Sequence, residues 1–129
     1  MIVIWLHPWV KSMLKVATSL SRRLRAIRSH NIAILHCCNP NRVIVFKRWS
    51  GDQEVLVFAS LNNSGFTDGY VIRADLLSIP NAEWKEVFNS DAATYGGSNV
   101  GNAGASIPSQ DGKLDVRIPA AGLVVFVRQ

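Results

Sequence analysis

The sequence predicts a mainly β protein, an antiparallel Greek-key β-sandwich of about seven to eight strands preceded by one amphipathic helix. Apolar residues recur at steps of three and four up to residue 28, and the period changes to two after residue 31. Turn-forming residues then separate the apolar runs at a spacing typical of a sandwich. The 129 residues suffice for one compact core, whereas a (β/α)₈ barrel needs roughly 250.

The helix is predicted over residues 8–28, which make about five turns. Pro8 suits the first turn, where the N–H group that it lacks has no partner in the helix. Residues 29–31 supply a stop signal. The apolar side chains share one face: Val10, Met13, Leu14, Ala17, Leu20, Leu24 and Ile27.

Seven runs rich in Val, Ile and Phe follow the helix and predict strands. These strands are residues 32–36, 42–49, 54–62, 69–74, 83–89, 113–119 and 122–128. No such pattern is present in residues 89–112, a Gly-, Ser- and Asn-rich stretch that we expect to be a long loop of functional or packing importance. We therefore divide the chain into an N-terminal helical segment, residues 1–30, and an all-β domain, residues 31–129.

The net charge of +5 is confined to the helical segment. Residues 1–30 carry six basic and no acidic residues, whereas residues 31–129 carry eight basic and nine acidic residues. The β domain therefore has no nucleic-acid footprint of its own. The basic residues of the segment are predicted to face mostly away from the apolar stripe: Lys11, Lys15, Arg22, Arg23, Arg25 and Arg28.

The two cysteines and the start of the chain predict a cytoplasmic protein. Cys37 and Cys38 are adjacent and point to opposite faces of a strand, so we expect two free thiols in a reducing compartment. The apolar run that precedes Pro8 and Lys11 is shorter than the ~20 residues of a membrane span. It also has neither the leading basic residue nor the cleavage site of a secretory signal.

Residues 83–102 carry the most specific motifs. The runs EWKEVFNSD (83–91) and YGGSNVGN (95–102) resemble the C-terminal all-β domain of 1,4-α-glucan branching enzymes of the α-amylase superfamily, where W-x-E-x-x-N-[ST]-D precedes Y-x-G-S-N-x-G-N. Other segments are similar to that family in the same order. They are LSRRLRAIR (20–28, similar to the last helix of the catalytic barrel), RVIVFKRW (42–49), EVLVFASLN (54–62), Gly69-Tyr70 and the closing run 118–128. Residues 1–19 match nothing in it.

The resemblance implies a non-catalytic accessory domain of a branching enzyme or α-amylase-type enzyme in glycogen or starch metabolism, here in a truncated or split chain. In that family the catalytic carboxylates lie upstream, on the strands of a barrel. The family's glycosyltransferase reaction cleaves an α-1,4 bond and moves the released chain to a 6-hydroxyl group. We expect no such activity from this chain alone, and we expect its partner to be an amylase-family catalytic barrel chain or α-glucan.

No catalytic residue, metal site or cofactor is predicted. Retaining glycoside chemistry needs two carboxyl groups about 5 Å apart, whereas the nine acidic residues are scattered over turns and strands. Asp91 is the best placed of them. We expect it to cap the turn into the following loop by accepting backbone N–H bonds.

Carbohydrate binding is predicted at Tyr95, Asn99 and Asn102, because aromatic rings stack on sugar faces and amides bond to hydroxyl groups. Trp49 and Trp84 lie in alternating strands and are expected to fill the core between the sheets. The glycines of the loop are expected to form turns with positive φ: Gly96, Gly97 and Gly101.

Two other functions remain open: a free-standing α-glucan-binding module and a basic-helix interaction protein. Glycan affinity without turnover would favour the first, and salt-sensitive nucleic-acid binding the second. We expect neither a nucleic acid nor a membrane as partner, because a solvated basic face is ordinary on a barrel helix. The apolar stripe predicts that the helix folds onto the sandwich, or that the chain self-associates through it.

Overall fold

A computed structural model describes residues 8–129, apart from the side chains of Trp9 and Val10. The apolar run at the start of the sequence therefore lies outside the described residues, as does the side chain of Val10, the first member of the helical stripe. The two helices are α1 (Pro8–Arg23) and α2 (Arg25–Arg28). The strands are β1 (Ile32–Cys38), β2 (Val43–Ser50), β3 (Gln53–Ser60), β4 (Phe66–Arg73), β5 (Ala82–Asn89), β6 (Ser106–Ser109), β7 (Lys113–Ile118) and β8 (Gly122–Arg128).

The strands form two antiparallel sheets, which confirms the predicted sandwich. The large sheet has the order β1-β2-β3-β8-β5-β6, and the small sheet pairs β4 with β7. Consecutive strands β1, β2 and β3 pair as hairpins. The last strand, β8, lies between β3 and β5 and so joins distant parts of the chain.

The main core lies between the two sheets, where alternate residues of each strand point inward. Trp84 of β5 is fully buried there, as predicted, and it packs with Leu56 and Phe58 of β3 and Phe126 of β8. The rings of Phe58 and Phe126 meet edge to face, with centroids 5.5 Å apart. Burying such large side chains is the main source of the stability of the sandwich.

Helix α1 packs on the outer face of the large sheet and forms a second core. Leu20 and Ala26 are buried there with Val55, Phe88 and Val125. The basic residues of the helical segment are all exposed, as predicted. The predicted single helix ends at Arg23, because Leu24 adopts an extended conformation, with φ −101° and ψ 97°, and the last turn forms separately as α2.

Side chains of the β2–β3 hairpin fix α2 to the sheet. Arg48 Nη1 donates to the carbonyl oxygens of Ile27 and Ser29, at 2.6 and 3.2 Å. Gln53 Oε1 accepts a 2.9 Å bond from the Ala26 N–H group. Backbone groups at the ends of this short helix are therefore satisfied by the sandwich.

The long stretch 89–112 contains two elements that the sequence pattern did not predict. Residues Ala93–Tyr95 form a 3₁₀ turn, and β6 pairs with β5. Strand β6 has only four residues and includes Pro108. Proline is tolerated there because β6 is an edge strand and needs no ladder bond on its outer side.

The prediction that Trp49 fills the core between the sheets is wrong. Trp49 lies on the inward face of β2, in line with Val43, Val45 and Lys47, but it is only half-buried and lies outside both core clusters. It is at the end of the row, beyond the inward residues that pack against the small sheet. The alternation of residues along a strand predicts which face of the sheet a side chain lies on. It does not predict how far the opposite sheet extends to cover that side chain.

Cys37 is exposed, Cys38 is half-buried, and both are free thiols. Among residues 8–129, no helix combines the length and the hydropathy needed to cross a membrane.

Candidate functional site

The loop that follows β5 is organised around Asp91. The carboxylate accepts backbone N–H bonds from Ser98 at 3.1 Å and from Val100 at 3.0 Å, and the Asp91 carbonyl oxygen accepts another from Asn99 at 2.7 Å. The expected capping role is confirmed. This carboxylate is thus occupied in holding the loop closed.

Asn102 holds the far side of the same loop. Its backbone N–H and its amide Nδ2 each donate a 2.8 Å bond to the carboxylate of Glu86, which accepts a third bond from the Gly104 N–H group. The Asn102 Oδ1 accepts a bond from the backbone N–H of Arg117 in β7. Both Asn102 and Glu86 are more than nine-tenths buried, and three donors are what a buried carboxylate needs.

Tyr95 packs over the helix side of the sandwich. Its ring lies 5.8 Å from that of Phe88, tilted by 34°, and it flanks the second core. Burial raises the pKa of the Tyr95 hydroxyl. Asn99 is exposed and takes the left-handed conformation, with φ 61°.

The three residues predicted to bind carbohydrate are therefore not gathered on one surface. Tyr95 and Asn99 share the 3₁₀ turn region, where Asn99 Oδ1 accepts a 3.4 Å bond from Ala93, whereas Asn102 is buried and its amide is engaged on both sides. Glycan contact at these residues stays a prediction.

The glycines of the loop have two different roles. Gly96 has φ 80°, as predicted. The expectation of positive φ is wrong for Gly97 and Gly101, which do not adopt it. A Cβ atom at Gly97 would meet the backbone of Asp91, and one at Gly101 would meet the amide of Asn89. Close approach of the chain explains these two glycines.

An apolar groove of about 330 Å³ runs between α1 and the outer face of the large sheet. The helix contributes Met13, Leu14, Ala17 and Leu20 to its walls, and the sheet contributes Phe88, Leu123 and Val125. Leu14 is half-exposed, although it belongs to the predicted apolar stripe. The helix thus covers the sheet only in part.

A second feature, which sequence reasoning missed, is a cleft of about 250 Å³ at the end of the β2–β3 hairpin. We call it the Trp49 cleft. It is lined by Ala33, Lys47, Trp49, Glu54, Leu77 and Ser78. In the sequence, Lys47 occupies one of the inward positions of β2, which are otherwise apolar or aromatic. A charged residue at such a position could have indicated the cleft.

The charges of the Trp49 cleft form one network. Glu54 makes ion pairs with Lys47 and with Arg128. Lys47 Nζ also donates to the carbonyl oxygens of Ser78 at 2.9 Å and Leu77 at 3.4 Å. Burial raises the pKa of the Glu54 carboxyl, but the two cations outweigh this effect, so the pKa is below its ordinary value. Glu54 is therefore an ionised acceptor.

Comparisons with known proteins bear on the whole β domain. Residues 35–129 match the family model described as "Alpha amylase, C-terminal all-beta domain". The 1,4-alpha-glucan branching enzyme GlgB of Pseudomonas syringae pv. tomato is 32% identical over an alignment of 92 positions, and the match covers 67% of this chain and 12% of that enzyme. The 1,4-alpha-glucan branching enzyme GlgB 1 of Xanthomonas axonopodis pv. citri is 37% identical over an alignment of 95 positions, and this match also covers 67% of this chain and 12% of the enzyme.

Solved structures show the same fold. An alpha-amylase from Geobacillus thermoleovorans, in complex with acarbose, has a TM-score of 0.74 at 12% identity, covering 99% of this chain and 24% of the amylase. An Anoxybacillus alpha-amylase has a TM-score of 0.69 at 13% identity, covering 98% and 24%. This chain spans about an eighth of the length of the branching enzymes that it matches. The chain belongs to the family of alpha-amylase C-terminal all-beta domains.

Proposed function

We propose that this protein is a non-catalytic accessory domain that packs against an amylase-type catalytic barrel, as part of a 1,4-α-glucan branching enzyme or a related enzyme of glycogen or starch metabolism. Family membership and the similarity to branching enzymes support this proposal. We also propose a cytoplasmic location, because both cysteines are free thiols, as is usual in a reducing compartment.

The observation that carries the proposal is the open apolar groove beside α1. Its walls come from both the helix and the sheet, and Leu14 at its rim is 49% exposed. The groove favours a contact with another protein surface, because exposed apolar side chains gain free energy when a partner removes them from water. The helical segment is similar in sequence to the last helix of an amylase barrel, so we propose that neighbouring barrel helices cover the groove.

A capture experiment tests this contact. The tagged chain is incubated with lysate of the source cell, and bound proteins are identified by mass spectrometry. We expect an amylase-family barrel chain to be captured. Leu14→Glu should abolish the capture, because it places a charge at the rim of the groove. Val16→Glu is the matched control, since Val16 is also exposed on α1 but does not line the groove.

Self-association is the competing use of the same surface. Sedimentation of the chain alone distinguishes the two. If the chain forms a dimer that Leu14→Glu dissociates, and no barrel chain is captured from the lysate, the groove binds a second copy of this chain instead of a barrel. A monomer that captures the barrel supports the proposal.

A further inference from the structure

Trp49 presents an aromatic ring at the wall of a cleft that the domain core does not use. The row of inward residues on β2 continues past the core as Lys47 and Trp49. The Trp49 ring is half-buried and has Lys47 Nζ at 5.9 Å from its centroid. Among the described residues, no hydrogen bond engages Trp49 Nε1, so the indole N–H group is available to a ligand.

The polar wall of the cleft is held rigidly. Glu54 lies directly opposite Trp49 across the β2–β3 pair, and its two ion pairs fix the carboxylate. Lys47 is buried and directs its donors to Glu54 and to the carbonyl oxygens of Leu77 and Ser78. A site whose polar groups are fixed in advance loses little entropy when a ligand binds.

The chemistry of these groups selects a neutral ligand with hydroxyl groups. The oxygens of Glu54, Leu77 and Ser78 disfavour an anion, whereas the charges of Lys47 and Arg128 disfavour a cation. Hydroxyl groups donate to carboxylate and carbonyl oxygens. The apolar part of the wall, which Trp49 and Leu77 provide, suits the C–H face of a sugar ring, and the cleft has room for one such ring rather than for a drug-sized ligand.

We propose that the Trp49 cleft is a saccharide subsite that holds one glucose unit of an α-glucan, with the ring stacked on Trp49 and its hydroxyl groups bonded to Glu54. The choice of an α-glucan rests on the proposed function, whereas the cleft itself rests on geometry alone. In an accessory domain, such a subsite keeps a long glucan chain close to the catalytic barrel.

The test is an NMR titration of the ¹⁵N-labelled full chain with maltoheptaose. We expect the Trp49 Nε1–H resonance, assigned from its loss in Trp49→Phe, to shift in a saturable manner. Trp49→Ala should weaken binding by about tenfold, which corresponds to the loss of one aromatic stacking contact. Leu77→Ser should weaken it in the same direction without risk to the fold, because Leu77 is 92% exposed. Leu61→Ser is the matched control, since Leu61 is also exposed but lies outside the cleft.

Three outcomes would overturn the subsite. One is no saturable shift at all. Another is wild-type affinity in Trp49→Ala and Leu77→Ser. The third is a shift confined to the loop of Tyr95 and Asn99, which would move the glycan to the residues predicted from the sequence. Capture of the barrel chain by Trp49→Ala is measured in parallel. If the chain captures the barrel chain but does not bind glucan, the proposed accessory role is retained and only the proposed subsite is refuted.

Discussion

The indole Nε1 of Trp84 donates a 2.9 Å hydrogen bond to the hydroxyl of Ser109, and both residues are buried. The Ser109 hydroxyl in turn donates to the carbonyl oxygen of Pro80 at 2.7 Å. This pair ties the edge strand β6 to β5 through side chains, in addition to the backbone ladder. Trp84, the largest side chain of the core, thereby holds strand β6 in place.

The two tryptophans of the β domain should differ in their effect on stability. Trp84→Ala removes a fully buried ring, so we expect a loss of about 3–5 kcal/mol in the free energy of unfolding. Trp49→Ala should lose only about 1 kcal/mol, because Trp49 is half-buried outside the core. Urea unfolding of both variants measures the difference. Equal losses would mean that Trp49 is a core residue after all.

Asn102 should contribute to the stability of the domain rather than to ligand binding. Asn102→Ala removes one of the donors to the buried Glu86 carboxylate, so we expect a loss of about 1–3 kcal/mol. Asn99→Gly serves as the control and should change stability by no more than about 0.5 kcal/mol, since Asn99 is exposed and glycine readily adopts its left-handed conformation. Hydrogen exchange at the Gly104 amide, which also bonds to Glu86, should quicken only in the first variant. Unchanged exchange there would contradict the role of Asn102.

Removal of residues 1–29 should lower the melting temperature and leave a cooperative transition. The core between the sheets contains no helix residue, whereas the second core loses Leu20 and Ala26. Calorimetry of the full and shortened chains measures both properties. Leu20→Ala provides a milder version, with an expected loss of about 2–5 kcal/mol. A shortened chain that melts without cooperativity would show that the division at residue 31 is wrong.

Glu54 should make the stability of the domain sensitive to acid. Its pKa is lower in the folded protein than in the unfolded chain, where it takes its ordinary value. The two ion pairs therefore contribute stability above that ordinary value, and the contribution is lost as the pH falls through the folded pKa. Glu54→Gln should cost about 1 kcal/mol at neutral pH, because Arg128 is partly exposed and solvent screens its ion pair with Glu54. The gap to the wild type should close in acid, as urea unfolding at a series of pH values would show, and a constant gap would refute the prediction.

The purified chain should neither hydrolyse nor branch amylose. The acid best placed by sequence, Asp91, is engaged with the backbone of its own loop. Iodine staining of amylose before and after incubation provides the measurement. A shift in absorbance that disappears in Asp91→Asn would contradict the prediction, and a parallel incubation with a complete branching enzyme shows that the assay responds.

The fold class and most strands were predictable because alternation of apolar residues reports directly which face of a strand is buried. Strand β8 was predicted with the bounds that the structure has, since a run of Val and Phe between Gly122 and Arg128 has no competing pattern. Strand β6 was missed because it is short and polar, and its pairing with β5 depends on a partner more than twenty residues away.

The sequence by itself determined the family, the two-sheet core and the capping role of Asp91, because each depends on local pattern or on motifs. Only the tertiary structure decided that Trp49 lies in an open cleft, that Asn102 is bound to Glu86, and that the helix leaves a groove on the sheet. These features depend on where one layer ends against another. The limits of each layer are set by packing between segments that are distant in the sequence. The alternation of side chains along a single strand contains no information about that packing.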